Sequence, residues 1–404
     1  MTCLAIVTEY RFIRTPDKRV WIGVGPEYDI WTRYLAAFDR VRVIARVQDV
    51  QERPAGVARV DGPGVEVWPL PYYVGAGGFL TRAPRIRRTA LEGTRDADVV
   101  MLRVPSPIAN TISGHFDRQR RPYCLEVVGD PDAVLSRGVV DHPLRPVLRR
   151  WATAAMRRQC RLAAAAVYET GHTLQARYPA RDGSLSEGIS SVELPRAAFA
   201  AAPRTHDAPP ERAVLISVGT LDQLYKGIDT LIEALALLRD GATTHRLVHV
   251  GRGRYLPTLR RLAEERGVAD RVEFAGWLPT SDDLRQRLDQ ADLFVMPSRT
   301  EGLPRALIEA MARGLPAIGS AVGGIPELLP PDCLVRSGDP AALAEALRGM
   351  LSDPRRLTEA SARNLAAARA FGADVLAARR TTFYRSLRHL GAAHAARAGR
   401  PAGR

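Results

Sequence analysis

Strand-length apolar runs alternate with helix-period segments along most of this chain, and the whole series occurs twice. Parallel sheets whose successive strands are joined by crossover helices produce this pattern. In the first half, strands are expected at residues 3–8, 41–46, 65–69, 99–103, 123–128 and 165–168, with the longest helix at 144–163. Pro195, Pro203, Pro209 and Pro210 stand among alanines, so residues 196–212 read as a linker. Beyond it, strands are expected at 214–218, 247–250, 272–275, 293–296 and 317–319, with helices between them. The expected organisation is an α/β fold of two Rossmann-like domains, residues 1–195 and 213–372. A helix at 373–390 packs back toward the first domain, and an Ala/Gly/Arg-rich tail at 391–404 frays.

Composition supports two domains and excludes other classes. The chain has 404 residues, 46% hydrophobic and 25% charged, which is globular make-up. No run approaches the roughly 18 apolar residues needed to cross a bilayer. The first apolar run is too short for a signal peptide and lacks a basic lead-in, so a cytoplasmic location is expected. Cys3, Cys124, Cys160 and Cys333 have no metal-ligand or CxxC spacing, so buried thiols are expected. Asp96 and Asp98 have a DxD spacing but lead into a strand, so they read as structural, and no bound metal is expected.

The formal charge is +14, from 58 basic and 44 acidic residues. Only Lys18 and Lys226 are lysine; the arginines are spread throughout. A nucleic-acid binder would need a clustered basic face with stacking aromatics, whereas aromatics are 6% and scattered. No nucleic-acid partner is expected. The basic surface suits an anionic small substrate or peripheral contact with an anionic membrane. In a chain that uses arginine almost everywhere, Lys226 draws notice.

The chemistry concentrates in the second half. Met296-Pro-Ser-Arg-Thr-Glu301-Gly302-Leu303-Pro304-Arg305-Ala306-Leu-Ile-Glu309 reads as strand, turn and helix. Pro304 fits a first helical position. The backbone N–H groups of Leu303, Arg305 and Ala306, with the helix dipole, then suit a diphosphate. Glu309 falls about 7–8 Å further along the axis. Carboxylates beside such a site are suited to sugar hydroxyls.

The segment resembles the Glu-x7-Glu signature of retaining GT-B glycosyltransferases of glycosyltransferase family 4. The segments Gly219 to Asp229, Val250-Gly251-Arg252-Gly253, Phe274-Ala-Gly276-Trp277-Leu278 and Gly323-Gly324-Ile-Pro-Glu327 are similar to further family motifs, in the family's order. The resemblance covers residues 212–390. It implies two domains facing a central cleft and transfer of a sugar, with retention, from a nucleoside diphosphate to an acceptor hydroxyl. The donor would be a UDP- or GDP-sugar. The acceptor would be a glycan, a lipid-linked intermediate or a small molecule. Lys226 would neutralise the diphosphate, Glu301 would hold the donor sugar and Glu309 the ribose. Leu303 to Ala306 would cradle phosphate, and Trp277 and Leu278 would read the base edge. Gly219, Gly227 and Gly251 would let backbone approach the ligand. Arg252 and Arg305 are further phosphate candidates. Many relatives carry arginine where this chain has Thr220.

In the first half, a loop at 9–28 with Gly23-Val-Gly25 is expected, lined by Tyr10, Arg11, Arg14 and Trp21 as an acceptor pocket. Asp130, where relatives place a histidine nearby, is a catalytic candidate, with helix capping as its structural alternative. Arg103 and Ser106 are weaker candidates. Competing functional readings are a nucleotide-sugar epimerase of the same fold and a basic nucleic-acid-binding protein.

Overall fold

The computed structural model describes residues 1–135, 143–238 and 245–397, with the backbone only for 395–397. The chain divides into two units. One comprises Met1–Asp132, Pro146–Ile189 and residues from Ala377 onward; the other comprises Ala133–Arg145 and Ser190–Leu376.

The first unit is built on a nine-stranded sheet: β1 (Cys3–Arg14), β2 (Val20–Ile22), β3 (Arg40–Asp49), β4 (Ala58–Arg59), β5 (Val65–Pro71), β6 (Val99–Val104), β7 (Cys124–Val127), β8 (Ala165–Tyr168) and β9 (Leu185–Gly188). Its parallel part runs β5-β3-β1-β6-β7-β8-β9. Leu4, Ala5, Ile6 and Val7 are all buried although their side chains alternate in direction. A parallel strand covered by helices on both faces has this pattern. The second unit has six strands, β10 (Val214–Val218), β11 (Arg246–Val250), β12 (Val272–Gly276), β13 (Leu293–Met296), β14 (Ala317–Ser320) and β15 (Leu334–Val335), in the order β12-β11-β10-β13-β14-β15. Both are Rossmann-like parallel sheets. The order reverses beside β1 and β6 in one, and beside β10 and β13 in the other, where ligands bind beyond the strand ends.

Packing follows sequence periodicity. The helix Ile228–Leu237 buries Ile228, Leu231, Ile232 and Leu235 along one stripe. Each such side chain contributes about 1.5–3 kcal/mol relative to exposure. All four cysteines are buried and free.

Several details differ from the sequence reading. β1 does not end at Thr8: it continues to Arg14, shifts register against β3 between Val7 and Arg11, and turns into an antiparallel pairing with β2. The expected loop at 9–28 is therefore largely hairpin. Residues 196–212 pack onto the second unit. The Ala200 N–H donates to Ala312, the Arg204 N–H to Ser361 Oγ at 2.7 Å, and the Arg204 guanidinium to the Leu288 carbonyl at 2.9 Å. One helix, Ala373–Arg397, closes the described chain. Residues 391–397 are helical rather than frayed, and 398–404 lie outside the described residues. From Ala377 this helix belongs to the first unit, where Tyr384 packs on Tyr34 with ring centroids 4.7 Å apart.

Candidate active site

The loops after β10 and β13 leave adjacent parallel strands and are tied together. The Arg299 guanidinium grips both carboxylate oxygens of Asp229, at 2.9 and 2.7 Å, and its backbone N–H donates to the Tyr225 carbonyl at 2.7 Å. This fixes the 3-10 turn Leu224–Lys226 against the turn carrying Glu301. Lys226 Nζ donates to Glu301 Oε1 at 2.7 Å, and Ser298 Oγ donates to the same oxygen at 2.7 Å. The Lys226 and Glu301 side chains are only 17% and 9% exposed. Glu301 Oε2 has no hydrogen-bond partner among the described residues. One oxygen of the carboxylate thus holds the lysine while the other remains available.

The glycines of these motifs lie where backbone segments cross closely. Gly227 has φ +70°, and a Cβ there would collide with the Pro297 carbonyl. A Cβ on Gly251 would collide with the Gly219 carbonyl. Gly219 lies under the Lys226 stem, whose carbons would be 3.1 Å from an added Cβ. Each therefore admits another part of the protein. Gly323 and Gly324 likewise back the Glu301 turn: the Gly324 N–H donates to the Gly302 carbonyl at 2.8 Å.

The helix Arg305–Ala312 follows. Pro304 flanks it as the N-cap, with φ −79° and ψ 108°, one position earlier than the sequence suggested. The N–H groups of Leu303, Arg305, Ala306 and Leu307 have no acceptor among the described residues; Ile308 makes the first bond, to the Pro304 carbonyl. Unfilled donors at a helix N-terminus suit an anion. Glu309 is half-buried one turn further on. Burial raises its carboxyl above the usual value, partly offset by Arg305, whose guanidinium lies 3.6 Å away. The two line a cavity of about 320 Å³ with Ser281 and Arg285.

A second cavity of about 470 Å³ is lined by Gly219, Thr220, Gly251, Arg252, Trp277 and Leu278, and shares Thr280, Ser281 and Leu284 with the first. Trp277 is 61% exposed, so it is not packed in the core. Arg252 lies over its ring, 5.5 Å from the centroid. Beneath the loop, buried His249 points Nε2 at the Gly219 carbonyl at 3.1 Å. A carbonyl only accepts, so Nε2 carries the hydrogen. His249, Ser298, Arg299 and Asp229 were not singled out from sequence. Ser298, three residues before Glu301 on the same turn, carried the most readable signal.

Most of the first-unit candidates make local contacts within that unit. Asp130 binds Arg177 and Tyr178 and accepts the Asp132 N–H at 2.8 Å, so its carboxylate is held within the first unit. Trp21 is buried with Nε1 on Thr15 Oγ1 at 3.0 Å, and Arg14 pairs with Asp49 at 2.7 Å, so neither lines an open pocket. Arg11 is exposed, and Tyr10 is half-buried beneath Arg103. Arg103 itself binds Glu126 at 2.8 Å. Ser106 caps the helix Pro107–Arg118 and donates to Glu9 at 2.6 Å. Asp96 pairs with Arg42, and Asp98 accepts the Cys3 N–H at 2.7 Å, both structural roles.

Known proteins resemble this chain in sequence and in fold. Residues 212–353 match the family described as Glycosyl transferases group 1. CapJ of Staphylococcus aureus is 24% identical over 346 residues, covering 84% of each chain. A GDP-mannose-dependent alpha-(1-6)-phosphatidylinositol monomannoside mannosyltransferase of Mycobacterium tuberculosis is 46% identical over 109 residues, 25% of this chain and 28% of that protein. Among solved structures, sucrose-phosphate synthase of Thermosynechococcus elongatus has a TM-score of 0.67 at 18% identity, covering 96% of this chain and 99% of that one. HepE of Anabaena in complex with UDP has a TM-score of 0.65 at 17% identity, covering 96% and 100%. These neighbours establish the fold as that of GT-B glycosyltransferases.

Proposed function

We propose that the protein transfers a sugar from a nucleoside diphosphate to an acceptor hydroxyl with retention of configuration, a reading supported by the match of residues 212–353 to the family described as Glycosyl transferases group 1. The observation that carries this reading is the juxtaposition of Lys226 and Glu301, 2.7 Å apart, beside a helix N-terminus with unfilled N–H groups.

The diphosphate competes with Glu301 for the Lys226 ammonium and takes the N–H groups of Leu303, Arg305, Ala306 and Leu307. As the sugar–phosphate bond breaks, negative charge grows on the diphosphate where these donors already stand. Glu301 Oε2 accepts a donor-sugar hydroxyl, and Glu309 accepts the ribose hydroxyls. The base enters the cavity beside Trp277 and Leu278, and Arg252 and Arg305 flank the phosphates. Thr220 supplies no charge, so the arginine common in relatives at that position is replaced in function by Lys226 and the helix. No step calls for a metal.

The donor is a UDP- or GDP-sugar; HepE was solved with UDP and the mycobacterial relative is named for GDP-mannose. The acceptor is a glycan, a lipid-linked intermediate or a small molecule, and the reaction takes place in the cytoplasm.

Calorimetric titration with UDP, GDP, dTDP and CMP tests the site. One diphosphate should bind, and Lys226→Ala should weaken it at least tenfold, as expected for loss of a charge-assisted bond. Binding of none of them, with tight DNA or RNA binding, would contradict the proposal.

A further inference from the structure

Glu301 is steered from behind by a buried hydroxyl. Ser298 is fully buried, and its Oγ donates to Glu301 Oε1 at 2.7 Å. A hydroxyl has one hydrogen, and this one is spent on the carboxylate. The rest of Ser298 is pinned. Its carbonyl accepts from Ser320 Oγ, at the end of β14, and from Ser337 Oγ, just beyond β15, at 3.1 Å. Ser320 is itself fully buried. Serines at the ends of three adjacent strands, β13, β14 and β15, thus form one chain of hydrogen bonds that leads to Glu301.

The backbone of Glu301 is fixed as well. Gly323 packs so closely on it that an added Cβ would collide with the Glu301 carbonyl. The direction of the Glu301 side chain is then set by its two donors, and these differ in kind. Lys226 carries its ammonium on a flexible four-carbon stem, and in the proposed reaction the diphosphate competes for that ammonium. Ser298 Oγ stands one carbon from a pinned backbone and cannot follow a ligand. When Lys226 turns to the diphosphate, Ser298 is the donor left on Oε1 among the described residues. Without that bond the carboxylate would follow the lysine, drawn by opposite charge.

We infer that Ser298 is a positioning residue for the donor sugar: it keeps Glu301 Oε2 aimed at a sugar hydroxyl after the diphosphate has drawn Lys226 away. The inference rests on the transferase reading and adds to it a residue that acts only through Glu301.

Calorimetric titration with UDP against UDP-glucose, and with GDP against GDP-mannose, tests it on the full chain. In Ser298→Ala the diphosphate Kd should move no more than about twofold, while that of its sugar nucleotide rises about tenfold, the scale of one lost hydrogen bond to a charged group. In a Glu301→Ala background, Ser298→Ala should add nothing, because the residue acts through the carboxylate. Should Ser298→Ala lower the melting temperature, Ser337→Ala carries the test. It loosens the Ser298 carbonyl without touching Glu301, and should shift the same ratio in the same direction by a smaller factor. An unchanged ratio, equal weakening of diphosphate and sugar nucleotide, or an effect that persists in Glu301→Ala overturns the inference and leaves the transferase reading standing. Failure of the unaltered chain to bind any of the four compounds overturns that reading, and the inference with it.

Discussion

Glu301 Oε1 is the atom on which the proposed site turns, since it accepts from both Lys226 and Ser298. Sequence reasoning found Lys226 and Glu301 separately, through the rarity of lysine and the spacing of two carboxylates. It could not find their ion pair, because the partners are 75 residues apart and meet only through strand order. His249 was less legible still. Inside a strand it looks like core, and only the fold shows it beneath the Gly219 carbonyl. Burial lowers its pKa to about 4, with Lys226 adding to the effect. The sign follows from linkage: the unfolded chain binds the proton near pH 6.5 and the folded one only near 4. Stability is full above 6.5 and falls as pH drops through this window, by about 3 kcal/mol for this residue at 1.36 kcal/mol per unit. Melting temperature against pH should therefore fall less steeply in His249→Gln. Part of the slope should remain, because burial lowers His206 and His245 in the same direction. An unchanged slope would remove His249 as its cause.

Elements were more readable than contacts. Each strand expected in the second half is present, because fully buried parallel strands appear as short continuous apolar runs. The strands not foreseen, β2, β4, β9 and β15, have two to four residues. Length also explains β1, where Glu9 and Arg11 interrupt the apolar run that a hairpin continues. The motif glycines were legible, but the backbone crossings they permit were not, since a sequence does not show which backbone crosses which. Gly227 is the clearest case. Gly227→Ala must place a Cβ at φ +70° against the Pro297 carbonyl. Strain of this kind costs about 1–3 kcal/mol before the collision is counted. The urea midpoint should fall accordingly, and diphosphate affinity should fall with it because Lys226 is the preceding residue. An alanine variant with unchanged midpoint would show that the turn relaxes freely.

For the whole molecule, the restart of the α/β rhythm foretold two sheets, and the final helix returns to the first unit as expected. It brings Phe383, Tyr384 and Leu387, all buried there. Tyr384 sits against Tyr34, and Arg388 donates to the Ala37 carbonyl at 3.0 Å. Tyr384→Ala should therefore cost about 3–5 kcal/mol, the range for removing a large buried aromatic ring, read as an earlier denaturant transition. Diphosphate affinity measured well below that transition should be unchanged, since every proposed donor contact lies in the second unit. The acceptor side was the least legible part of the sequence. Tyr10, Arg103 and Asp130 are polar residues near strand ends, yet each is tied up in local pairing that only the fold discloses.

The central claim is that Glu301 orients the donor sugar while Lys226 and the helix N-terminus hold the diphosphate. The most direct test compares Glu301→Gln with the unaltered protein, measuring kcat for sugar transfer and Kd for the nucleoside diphosphate in parallel. The substitution keeps shape but removes the charge that Lys226 and the sugar share. Transfer should fall at least a hundredfold while Kd changes no more than a few-fold. Unchanged transfer would contradict the assigned role of Glu301. Equal loss of transfer and of diphosphate binding would also contradict it, because Glu301 would then serve only to hold Lys226 in place.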